Sequence, residues 1–191
     1  MLTVREALRR PLFGDATVVA GQDGLERGIR WVHVLEVSDF DTLIHGEEMI
    51  LTTGIAFNSG VISPVRFLSK LIELNASCLC IEIGPYFDNV SQELVELSDR
   101  HRFPLILFRS TVRFVDITQD LHSLIINNHH RLLEDLESVS RQFHRLTLSA
   151  TGTSKVLKLL HESTSAQVVY QPFQGQQVFV PAMDAHERRQ F

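Results

Sequence analysis

The sequence predicts an α/β fold: a parallel β-α-β-α-β sheet core with an extra N-terminal strand region, followed by a long helix and a truncated second α+β domain. Three observations predict it. Between residues 49 and 108, three short continuous apolar runs alternate with two amphipathic stripes, the pattern of strands covered on both faces and joined by helices. From Asp116 a helical period continues for about 34 residues without a Gly or Pro. Beyond Gly152 come one further helix and two short strands, too little to close a core of their own. The expected boundaries are 1–113 for the first domain, 114–151 for the helix and 152–191 for the opening of a second domain, as in a fragment of a longer protein cut inside that domain.

The elements follow in order. Thr3-Val4-Arg5-Glu6 is a capping box opening a short helix that Pro11 stops. Ala16 to Gly21 reads as a β-branched strand, and Gly21-Gln22-Asp23-Gly24 as a turn. A strand is expected from Ile29 to Val37, with Trp31, His33, Leu35 and Val37 on one face and Val32, Val34 and Glu36 on the other. Met49 to Thr52 is the first apolar run of the parallel unit, and Glu47-Glu48 before it reads as a solvated turn. Ser63-Pro64 starts a helix with Val65, Leu68, Leu71 and Ile72 in a stripe. Cys78 to Ile83 is the second run, Ser91 to about His101 the second helix, and Leu105 to Phe108 the third run. Right-handed crossovers are expected between the parallel strands.

On the long helix, Asp116-Ile117-Thr118-Gln119 offers a capping-box start. Ile125, Leu132, Val139 and Leu146 recur every seven residues, and Leu136, Phe143 and Ala150 follow four residues after the last three. A stripe of this length needs a partner, either a second copy of itself or the outer face of its own domain. The parallel self-pair is the preferred reading, although Asn128 and His129 interrupt the seam. His122, His129 and His130 are read as solvated, with pH-dependent pairing as the alternative.

Composition narrows the function class. The chain carries a net charge of -5 and no Lys/Arg run, which argues against a nucleic-acid interface within it. No segment approaches the roughly 18 apolar residues of a membrane span, and the N-terminus lacks the apolar stretch of a signal peptide. Cys78 and Cys80, two apart in an apolar run, are poorly placed for a disulfide and read as small core residues of a cytoplasmic protein.

Ligands of a parallel sheet sit beyond the carboxyl ends of its strands. Here those ends are Thr52-Thr53-Gly54, Gly84-Pro85-Tyr86 and Arg109-Ser110-Thr111. Arg109 suits paired hydrogen bonds to a carboxylate or a planar ureide or purine, and Gly54 permits close backbone approach. The competing reading makes Gly54 and Gly84 plain chain turns and Arg109 a solvated charge. His33, Glu36 and Asp39 form a second polar group, suited in type to metal binding or acid–base work. Their spacing matches no established ligand set, and a strand histidine with one structural hydrogen bond is the better reading of His33. No P-loop, GxGxxG, GxSxG or HExxH motif is present, so no enzyme activity, cofactor or metal is expected.

The stretches TVREAL at Thr3, VVAGQDGLERGIRWVHVLEV from Val18, EEMILTTGIAF from about Glu47, FPLILF at Phe103 and FVDIT at Phe114 are similar to the N-terminal domain of PucR-type bacterial transcription regulators, named for a purine-catabolism regulator. The resemblance runs over roughly residues 1 to 120 in the family's order. It implies an effector-sensing domain, a helical linker, a middle domain and a C-terminal helix-turn-helix, acting as a homodimer or larger oligomer to control a catabolic operon. Nothing here matches the helix-turn-helix, so DNA contact is expected outside this chain. Two other readings stay open: a dimerisation module without a small-molecule ligand, and a small hydrolase or isomerase using His33 and Glu36.

Overall fold

Four parallel strands and one antiparallel strand make the sheet on which the first part of the chain is built. The structure, a computed structural model, describes residues 1–58, 60–147 and 152–182; the side chains of residues 129–132, 135 and 147 fall outside that description. The order is β1 (Leu2–Thr3), α1 (Val4–Leu8), β2 (Ala16–Ala20), β3 (Gly28–Ile29), β4 (Trp31–Val34), β5 (Glu48–Thr52), α2 (Ile55–Asn58), α3 (Pro64–Glu73), β6 (Cys78–Glu82), α4 (Gln92–Arg100), β7 (Leu105–Phe108), α5 (Phe114–Thr147), α6 (Gly152–Thr164), β8 (Val168–Tyr170) and β9 (Val178–Val180). Two units result, Met1–His129 and His130–Phe191.

In the first unit the sheet order is β2-β7-β6-β5-β4. The expected β-α-β-α-β core is present as β5-α3-β6-α4-β7, with its strands parallel, and β2 is added antiparallel to β7. Because side chains alternate along a strand, each apolar run feeds two cores. Ile50, Leu79, Ile81, Leu105 and Leu107 pack with Phe67, Leu68 and Leu71 of α3 and Leu94 of α4. Met49, Leu51, Cys78, Cys80, Ile106 and Phe108 pack on the other side with Val4 and Ala7 of α1 and Ile117, Leu121 and Ile125 of α5. Both cysteines are free and buried, and burial pushes the Cys80 thiol upward, away from nucleophilic use.

The predicted caps form: Thr3 and Glu6 close the box on α1, and the Ser63 and Ser91 side chains accept from the amides of Arg66 and Leu94. Four local expectations change. The strand expected at 29–37 is broken at Arg30, whose N–H goes to the Glu47 carbonyl, and it ends at Val34. Glu48 is not solvated: it lies inside β5, 2% exposed, because its Oε1 turns back to accept the His45 amide at 2.9 Å. The helix α5 starts at Phe114, two residues early, with Asp116 already in its first turn facing Arg113 at 3.5 Å. His122 is half-buried against the sheet edge instead of solvated.

The second unit holds the distal part of α5, then α6 and the antiparallel hairpin β8–β9. Leu157 and Leu159 of α6 and Val168 of β8 are its buried apolar residues among those described.

Candidate functional site

Glu36 organises the carboxyl edge of the sheet. It stands just after β4, and its two oxygens reach across to the end of the neighbouring strand. Oε2 accepts the Thr52 hydroxyl at 3.0 Å, and Oε1 accepts the Thr53 amide at 2.7 Å. The Thr52 hydroxyl oxygen in turn accepts the Gly54 amide at 3.0 Å. Four predicted site residues, Glu36, Thr52, Thr53 and Gly54, are thus gathered into one network. Its carboxylate is an acceptor for fixed donors, the arrangement of a clamp on the β5–α2 turn.

Gly54 has a role other than ligand approach. It adopts φ +81°, and a Cβ built there would lie 2.9 Å from the Phe87 Cβ. Glycine is required because the turn is left-handed and the Phe87 segment presses against it. Beside the clamp opens a cleft of about 470 Å³, lined by Glu36, Val37, Ser38, Asp39, Ile55 and Ala56.

The other predicted residues lie elsewhere along the same edge. Since β6 stands between β5 and β7, the strands bearing Thr52 and Phe108 are separated by about 10 Å. Ser110 donates to Asp15 near β2, while Arg109 is exposed and joins none of the ion pairs among the described residues. Gly84 donates its amide to the Phe87 carbonyl and turns the chain. A second carboxylate that the sequence reading passed over, Glu82 at the end of β6, accepts the Val112 amide at 3.1 Å ahead of α5. Its only sequence signal is an acid inside an otherwise apolar run.

The His33 side chain makes no hydrogen bond among the described residues, so the structural histidine is a different one. His122 of α5 stacks on Trp31 with ring centroids 4.0 Å apart, and its Nε2 accepts the Val32 amide at 3.2 Å. Burial, the largest influence, holds the His122 imidazole below its ordinary value, opposed by the Val32 backbone contact and aided by nearby His33; an unprotonated Nε2 is what an N–H donor requires. Arg10 grips Asp120 through two of its guanidinium nitrogens, Nε at 2.9 Å and Nη2 at 2.5 Å, tying the same stretch of α5 to the segment after α1. Ile125, expected on a dimer seam, is spent here: it is buried in the core of its own unit. Farther along, Leu136 is 59% exposed, Val139, Phe143 and Leu146 are half-buried, and the Leu132 side chain falls outside the described residues. No three His, Cys, Asp or Glu groups gather into a metal-sized cluster among the described residues.

A model of the purine catabolism regulatory protein-like (PucR) family matches residues 6–125. The chain belongs to this family. It is 22% identical over 157 residues to the purine catabolism regulatory protein of Bacillus subtilis (strain 168), covering 82% of this chain and 30% of that protein. It is 29% identical over 117 residues to the transcriptional activator PmfR of Paenarthrobacter nicotinovorans, covering 61% of this chain and 25% of that protein. The chain therefore spans less than a third of the length of either relative. The matched residues 6–125 of this PucR-family chain take in the whole five-stranded sheet and the docked turns of α5, ending at Ile125. No helix among the described residues is long and apolar enough to cross a membrane.

Proposed function

We propose that this chain is the effector-sensing and oligomerisation region of a bacterial transcription regulator that controls a catabolic operon in the cytoplasm. DNA contact is assigned to a part of the full-length protein outside this chain, and the role here is regulatory, without catalysis. One observation carries the reading: β4 serves the cleft and the long helix at once. Its Trp31 and Val32 hold His122 of α5, and the Glu36 that follows it clamps the turn beside the cleft. A ligand that shifts the 36–39 segment changes the strand on which α5 is seated, a physical route from binding to helix position. His33 and Glu36 are not hydrogen-bonded to each other among the described residues, so the hydrolase or isomerase reading gains no support from an acid–base pair there.

The test is thermal stabilisation of the chain across a panel of small polar metabolites, repeated with Thr53→Ala and Glu36→Gln. Saturable stabilisation by one compound, weakened by either change, is expected. A full-length protein that responds to an effector which this region does not bind would refute the sensing role. The dimerisation component rests on the exposed Leu133 and Leu136 of α5, 62% and 59% exposed.

A further inference from the structure

The lining of the cleft narrows the chemistry of its ligand. Glu36, Val37, Ser38 and Asp39 of the segment after β4 line the cleft together with Ile55 and Ala56 of α2. These six side chains comprise two carboxylates, one hydroxyl and three apolar groups, with no basic residue among them. Ser38 and Asp39 have no side-chain partner among the described residues. Glu36 spends one bond per oxygen on the β5–α2 turn and keeps further acceptor capacity. Lys70, which reaches the same loop from α3, is paired with Asp41 at 2.6 Å and lies over the Phe40 ring. The negative charge of the cleft is therefore uncompensated by that lysine. Val37 and Ile55, both more than two-fifths exposed, give a ligand body an apolar surface to cover.

Arg109, the residue suited to an anion, stands at the end of β7 with β6 between it and the cleft's strands. An anionic ligand in this cleft would face two carboxylates with no cation in the lining, which repels it. Resting on the sensing role above, we propose that the cleft binds a small cationic nitrogen ligand: an amine or amidinium whose N–H groups donate to Asp39, Glu36 and the Ser38 hydroxyl, with its apolar part on Val37 and Ile55. Charge-assisted hydrogen bonds of this kind are the strong ones.

The probes are matched pairs of one shape and opposite charge, benzamidine against benzoate and butylamine against butyrate, titrated calorimetrically into the whole chain at low and at 0.5 M salt. The cations should bind saturably, more weakly at high salt, while the anions do not bind. Asp39→Asn, at an exposed position that the fold does not use, should weaken the cations by about three- to tenfold, and Ser38→Ala by less. Arg109→Ala should leave them unchanged. Binding of the carboxylates with dependence on Arg109 overturns the cationic assignment and leaves the sensing role standing. Cation binding indifferent to both Asp39→Asn and Ser38→Ala overturns it as well. If neither pair binds while a neutral metabolite does, the charge assignment fails alone; if the metabolite panel is also silent and the full-length protein still responds to its effector, the sensing role falls with it.

Discussion

Replacing His122 with Ala tests how the long helix is held to the sheet. The imidazole makes two contacts: the stack on Trp31 and the acceptor bond from the Val32 amide. The stack is worth about 0.5–1.5 kcal/mol and the hydrogen bond about 0.5–1.5 kcal/mol, with the lower part of each range appropriate to a half-buried ring whose partner amide can turn to water. A loss of about 1–2 kcal/mol is expected, or roughly 3–8 °C in Tm for a unit the size of Met1–His129. The sign of the pH effect follows from the depressed value of His122. The fold favours the neutral ring, so its contribution is fully present above the unfolded value of 6.5 and is lost as pH falls through the lower folded value. Melts of the parent and His122→Ala chains by circular dichroism at pH 8 and pH 5 should show a gap that narrows in acid. Amide exchange at Val32 should speed up in the variant at pH 8. An equal gap at both pH values, or unchanged exchange at Val32, would show that the ring does not hold the strand through a neutral Nε2.

Three further outcomes follow from the same geometry. Gly54→Ala forces a side chain into a left-handed turn against Phe87 and should cost about 1–3 kcal/mol in urea unfolding; an unchanged midpoint would mean that the turn relaxes freely. Glu36→Gln leaves one oxygen for two donors, the Thr52 hydroxyl and the Thr53 amide, and should destabilise by about 1–2 kcal/mol with loss of exchange protection at Thr53. Protection retained at Thr53 would argue against the clamp. Leu136→Asp together with Val139→Asp should shift the chain toward monomer in light scattering, and a mass unaffected by the pair would remove this stretch of α5 from any interface.

Much of the candidate site was legible because it follows a general rule: ligands of parallel sheets meet the carboxyl ends of strands. The rule finds Thr52, Thr53 and Gly54 from an apolar run that stops at a polar turn. It also offers Arg109 and Ser110, and strand order then parts them from the others. Order is a matter of which long-range pairing wins, and β6 between β5 and β7 is visible only in the folded sheet. Ser38 reads as an ordinary loop residue, and Asp39 as one of a polar group with His33 and Glu36, until Ile55 and Ala56 are seen to line the same cleft.

What the amino-acid sequence determined by itself is local and periodic. Apolar runs marked the buried strands, Thr3, Ser63 and Ser91 marked helix starts, and the absence of Gly and Pro after Phe114 marked one long helix. These features depend on neighbours within a turn or two, so the chain carries them openly. Only the tertiary structure decided where α5 leaves the sheet. Ile117, Leu121 and Ile125 sink into the sheet, whereas Leu133 and Leu136 of the same helix remain exposed. A heptad stripe reads alike in both settings, because periodicity reports that a face is apolar and burial depends on which surface covers it.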